Sequence, residues 1–130
     1  MKTILTLLSG LLLSLTSTAQ APDCKKFKTG KFSYPQVPDG YTVREEKTQT
    51  SYYKNGMTIT WNVIWTGECS FDLTFDKAEN ADAVFRKGDK ISVTITSVEG
   101  DCYTFKSTFY NNDNPGGKEY PPGQMCIKKD

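Results

Sequence analysis

Met57 to Asp76 reads MTITWNVIWTGECSFDLTFD, and its alternation decides the fold class. Ile59, Trp61, Val63 and Trp65 alternate with Thr58, Thr60, Asn62 and Thr66. After Thr66-Gly67-Glu68 the alternation resumes with Cys69, Phe71, Leu73 and Phe75. Successive side chains of a strand point to opposite faces, so the stretch reads as a β-hairpin with one apolar face. Two tryptophans and two phenylalanines on that face are too much apolar surface to leave in water, and other strands must close over them.

Those strands are found on both sides. Upstream, Asn55-Gly56 is a strong hairpin-turn dipeptide, and it is preceded by Tyr41 to Tyr53, whose charged middle, Arg44 to Lys47, predicts two short strands or one bulged strand. Lys28 to Tyr34 predicts a first strand, broken by Pro35, Pro38, Asp39 and Gly40. Downstream, Asp76-Lys77-Ala78-Glu79 fits a capping box and predicts one short helix through Asn80 to Phe85. Lys90 to Val98, with Ile91, Val93 and Ile95 inward, turns at Glu99-Gly100-Asp101 into Asp101 to Tyr110. A loop at Asn111 to Gly117 leads to the last strand, in which Pro121-Pro122-Gly123 must sit at an edge or bend. The expected fold is therefore all-β, an antiparallel meander of seven to eight strands forming a small lipocalin-like barrel or a flattened sandwich. Closure removes sheet edges and, with about eight strands, can leave room for one ligand.

The chain opens with Lys2, an apolar run from Ile4 to Leu15 and the small polar segment Thr16-Ser17-Thr18-Ala19, the order of a secretory signal peptide. The run is short for a membrane span. Cleavage after Ala19 places small residues at Ser17 and Ala19, so residues 1–19 read as leader and residues 20–130 as a single β-rich domain. An acid at Asp23 argues against lipidation of Cys24. The whole chain has 16 Lys and Arg against 15 Asp and Glu, and loss of Lys2 leaves the domain formally neutral. That balance offers nothing to attract nucleic acid or an anionic membrane, and no stable membrane insertion is expected after cleavage. The local run Lys25, Lys26, Lys28 and Lys31 reads as a solvated strand edge rather than a polyanion site. A secreted or periplasmic destination is expected.

Four cysteines in an exported chain imply two disulfides. Tyr103, Phe105 and Phe109 share a face and leave Cys102 on the other; Met125 and Ile127 likewise leave Cys126 outward. Cys102 and Cys126 thus pair across adjacent strands, and Cys24 is left for Cys69. Zinc is the competing reading, but no CxxC spacing and no histidine occur, and no metal site is expected.

Without histidine, neither a Ser-His-Asp nor a Cys-His arrangement is possible, and no catalytic residue is assigned. Glu45, Glu46, Asp72 and Asp76 read as solvated strand charges rather than a glycosidase pair. Asn111, Asn112, Asp113 and Asn114 lack the regular spacing of a calcium loop, and neither a phosphate-binding loop nor any cofactor fingerprint is present. The candidate ligand site lies elsewhere. Thr42, Arg44, Glu46, Thr48, Thr50 and Tyr52 share one parity. Turned inward, that parity sets Arg44 and Tyr52 against the aromatic wall of Trp61 and Trp65, an apolar pocket with a few placed polar groups. Arg44 would meet a ligand carboxylate through its fork of donors. The alternative is a solvated edge strand and a partner-binding surface built from Tyr34, Tyr41 and Tyr53.

Cys24-Lys25-Lys26-Phe27-Lys28-Thr29-Gly30-Lys31-Phe32, then Arg44 followed by Gln49, then Trp65 to Leu73, together resemble a family of small secreted or lipid-anchored β-proteins of Bacteroidetes with no established activity. The resemblance implies an exported β-rich fold in which an early cysteine pairs with the hairpin cysteine. Lys28 to Phe32 is also similar to the Gly-x-Trp opening of lipocalins, with Phe32 where the tryptophan stands. The functional expectation is a non-enzymatic, exported, disulfide-stabilised β-domain that binds a small apolar or amphipathic molecule in its interior. The alternative is a protein-interaction module with a filled core.

Overall fold

The structure, a computed structural model, describes residues 22–80 and 84–129. The segment read as a leader lies outside them. Eight antiparallel strands follow one another in sequence order: β1 (Gly30–Tyr34), β2 (Val37–Arg44), β3 (Thr48–Tyr52), β4 (Thr58–Gly67), β5 (Ser70–Glu79), β6 (Lys90–Glu99), β7 (Cys102–Tyr110) and β8 (Lys118–Ile127). Each pairs with the next, and β1 pairs with β8 to close a barrel. This is the lipocalin-like barrel rather than the sandwich. A 3-10 turn, Lys25–Phe27, precedes β1.

The hairpin is where its alternation puts it. Ile59, Trp61 and Val63 of β4 and Phe71, Leu73 and Phe75 of β5 are buried, with Trp61 opposite Phe75 and Val63 opposite Leu73. Gly56, at φ 86°, occupies the turn into β4 in a conformation that glycine adopts without a Cβ penalty. Three of the long strands, β5, β6 and β8, then carry an irregularity in the ladder. In β6 the register shifts between Ile95 and Ser97, and Val98 returns to the core. In β8 it shifts at Pro121 and Pro122, where neither residue has an N–H to contribute to a ladder. Gly123 follows because the Phe105 ring lies over it: a Cβ there would approach Phe105 to 2.6 Å.

The predicted helix is corrected. Asp76 to Glu79 continue β5, with Lys77, Ala78 and Glu79 opposite Thr60, Ile59 and Thr58. A bulge at Asp76 brings Ala78 back toward the core. The reason is accounting: β4 extends to Thr58, and its backbone donors and acceptors on that side find partners only if β5 extends with it. Asn80 leaves the strand at φ 58°, and the described part of the following segment, Val84 and Phe85, is not helical; residues 81–83 lie outside the described residues.

Both expected disulfides form: Cys102–Cys126, paired by strand parity, and Cys24–Cys69, the pair that this left. Cys102 and Cys126 face each other directly across β7 and β8, with Cα atoms 3.9 Å apart. Cys24–Cys69 ties the 3-10 turn to the β4–β5 turn and so holds Phe27, which is fully buried, in that end of the barrel.

Candidate functional site

Arg44 is the last residue of β2, and the ladder places it opposite Gln49, the second residue of β3. Both point into the barrel, at 2 % and 4 % exposure. Taking a guanidinium out of water is costly unless its donors are met. Here Nε donates to Gln49 Oε1 at 2.8 Å, Nη1 to the Phe27 carbonyl at 2.7 Å and Nη2 to Tyr103 Oη at 2.9 Å. Rings surround the charge: Arg44 Cζ lies 4.7 Å from the centroid of Phe32 and 4.6 Å from that of Phe71, within cation–π range. The Tyr103 hydroxyl donates onward to Met125 Sδ at 2.9 Å. One side chain thereby joins the 3-10 turn and strands β2, β3, β7 and β8.

The burial of this cluster moves its tyrosines. Burial pushes the Tyr34 hydroxyl up to about 12; Tyr103 and Tyr53 add to the effect, and the Arg44 charge opposes it. Tyr103 is also pushed up by burial, against the charge and hydrogen bond of Arg44. Both phenols therefore stay neutral at physiological pH.

Beside Arg44 lies an interior cavity of about 30 Å³, lined by Tyr34, Gln49, Phe71, Tyr103, Phe105 and Met125 among others. Pockets for drug-sized ligands are on the order of 300–1,000 Å³. Aromatic packing takes up the remainder. Trp61, 5 % exposed, meets Phe75 and Phe85 edge-on at 5.6 and 4.9 Å, and Phe85 meets Phe109 at 5.8 Å.

The four residues expected to share a pocket do not meet. Arg44 is inside but engaged by the protein's own groups, and Trp61 is core. Trp65 packs on Phe71 at the barrel's margin, with the Lys28 ammonium over its ring. Tyr52 is outside, 37 % exposed and stacked on Tyr41 at 4.8 Å. The common parity of Arg44 and Tyr52 is broken by the turn at Glu45 to Lys47, which sets Arg44 opposite Gln49. On β2 the even-numbered residues Thr42 and Arg44 face inward; on β3 the odd-numbered Gln49 and Ser51 do, with Ser51 Oγ 2.9 Å from Thr42 Oγ1. Strand parity placed Tyr103 and Met125 on inward faces, and the resemblance included Phe27 and the pair Arg44 and Gln49, but the sequence assigned none of them a site role; the structure joins Arg44 and Gln49 by a hydrogen bond.

The outer face of β2 to β4 is the second candidate. Lys31 Nζ lies 4.4 Å from the Tyr41 ring, so Lys31, Tyr41 and Tyr52 form a ladder across three strands. Tyr52 also lines a shallow outer groove of about 370 Å³ with Thr48, Thr50, Thr58 and Thr60. Val37 and Tyr53, 49 % and 40 % exposed, lie on the same part of the chain. Compared with known proteins, the chain matches no known family, no curated protein and no solved structure.

Proposed function

We propose that this chain is an exported, non-enzymatic protein-interaction module whose barrel is a rigid scaffold and whose working surface is the tyrosine ladder outside β2 and β3. The observation that carries this reading is the contrast in packing: the interior cavity is about 30 Å³, while Tyr41, Tyr52 and Tyr53 are displayed outside. Tyrosine is enriched at protein interfaces because it offers a large, stiff apolar body with a polar tip. The Lys31 ammonium over Tyr41 adds a charge at the margin of the patch. Two disulfides suit an oxidising compartment outside the cytoplasm. An apolar or amphipathic ligand inside the barrel has less support, since such a molecule needs about ten times this volume.

The test is to place a photo-crosslinking amino acid at Tyr53 in the host's own cells. The expected result is one discrete adduct, lost in the Tyr41→Ser/Tyr52→Ser double variant while both disulfides stay intact. Native mass spectrometry of the protein from the same cells should show a bare, two-disulfide mass. A reproducible additional mass of small-molecule size, released on denaturation, would overturn the proposal in favour of an interior ligand.

A further inference from the structure

The outer groove beside the tyrosine ladder has a floor and two walls of different chemistry. One cross-strand row runs Tyr41, Tyr52, Thr58 and Glu79 across β2 to β5. The next runs Thr50, Thr60 and Lys77 across β3 to β5. Between them lies the shallow groove of about 370 Å³. Its floor is made of hydroxyls: Thr50 and Thr60 share one hydrogen bond, Oγ1 to Oγ1 at 3.1 Å, and the Thr48 and Thr58 hydroxyls make none among the described residues. One wall is aromatic. Tyr41 covers one face of the Tyr52 ring, stacked at 4.8 Å and 18°, which leaves the other face turned toward β4 and the groove. The opposite wall is charged, Asp76 and Glu79 with Lys77 between them in the chain, its Nζ 3.7 Å from Glu79 Oε1.

We propose that this groove is a subsite for one neutral sugar ring carried by the partner, with Tyr52 against the C–H face of the ring and the threonine hydroxyls and carboxylates against its hydroxyls. The proposal rests on the outer face being the working surface, and it names what the partner presents there. Composition selects the ligand. A sugar hydroxyl both donates and accepts, as each threonine hydroxyl does, while carboxylates accept and an ammonium donates. An apolar side chain laid on that floor would strip water from hydroxyls and return no hydrogen bond. A pyranose instead has an apolar C–H face for the tyrosine and a polar rim for the rest. Charge narrows the class: two carboxylates against one ammonium leave the wall net negative, which repels phosphate, sulfate and sugar acids. Width agrees as well. Tyr52 and Glu79 stand on strands two apart, about 10 Å at twice the strand spacing, and van der Waals contact at about 4 Å from each wall leaves space for one saturated ring. The β3–β4 and β4–β5 ladders run under the groove, so its groups are held in place before the ligand arrives.

The experiment is an amide NMR titration of the purified, oxidised, isotope-labelled protein with neutral oligosaccharides of glucose, mannose, xylose and N-acetylglucosamine, and with polygalacturonate as the acidic counterpart. The expected result is saturable shifts at Thr50, Tyr52, Thr58 and Thr60 with at least one neutral member and none with the acid. Tyr52→Ser, at a position 37 % exposed, should weaken that binding about tenfold while the barrel stays folded. Tyr52→Phe keeps the ring and should restore it; Thr58→Val keeps the shape, removes a hydroxyl and should weaken it. The oligosaccharide that binds should also lower the yield of the Tyr53 cross-linked adduct. No binding by any neutral member, shifts that map away from the groove, binding of polygalacturonate there, or an adduct undiminished by bound sugar would each overturn the proposal, and a discrete adduct obtained alongside any of these would leave the protein-interaction reading standing. Sugar binding in the groove with no discrete adduct would refute that reading alone.

Discussion

At the end of the barrel that holds the 3-10 turn, closure is covalent and polar: Cys24–Cys69 pins the turn, and Arg44 ties its Phe27 carbonyl to Gln49 and Tyr103. At the opposite end, Phe85, from the segment after β5, lies against Trp61, Phe75 and Phe109 through ring contacts. The two solutions differ in what they specify. Hydrogen bonds from a buried guanidinium have fixed directions and leave costly orphans when broken, so they hold one arrangement of five elements. Ring contacts are softer and fail in proportion to the area lost.

That contrast can be broken from either side. The largest effect is expected for Arg44→Leu, which leaves Gln49, the Phe27 carbonyl and Tyr103 without their donor; a loss of about 3–5 kcal/mol, read from urea unfolding, is expected. Replacing Cys24 and Cys69 together by serine frees a span of 45 residues in the unfolded chain and should cost about 4 kcal/mol on the loop-entropy account. The same change at Cys102 and Cys126, with a separation of 24, should cost about 3.5 kcal/mol, and less still if the β7–β8 ladder already restrains that loop. Phe85→Ala at the apolar end is expected to cost about 2–3 kcal/mol without disturbing the polar end. Amide hydrogen exchange checks this: protection should fall near β4, β5 and β7 and hold at Arg44 and Gln49.

The smallest effect sharpens the comparison through pH. The folded-state pKa of Tyr34 is raised, so the folded state keeps a proton that the unfolded chain gives up first. Stability from this group is fully present below about pH 10, the unfolded value, and is lost as pH rises toward about 12. The expected slope is about 1.4 kcal/mol per pH unit. Tyr103 and Tyr53, also raised, act in the same direction. Tyr34→Phe should flatten the alkaline unfolding curve by one titrating group, whereas Phe85→Ala should shift it downward without changing its slope.

The amino-acid order determined everything here that has a short period. Alternation from Ile59 to Phe75 was enough for the central hairpin and its buried face, and the parity of Cys102 against Cys126 was enough for their pairing. Turn chemistry at Asn55-Gly56 and the prolines of β8 was legible for the same reason, because φ restriction and a missing N–H act locally. The tertiary structure alone decided the rest. Whether Asp76 to Glu79 became helix or strand depended on the length of β4 beside it. The side of the sheet to which Tyr52 turned depended on a turn that set Arg44 opposite Gln49. A charged residue in the middle of a strand pattern reads as solvated or as ligand-facing; Arg44 is instead engaged by the protein's own groups, which arrive from 5 to 81 positions away. Periodicity records which face a residue shares with its neighbours in the chain, but the groups that satisfy a buried charge are brought together only when the barrel closes.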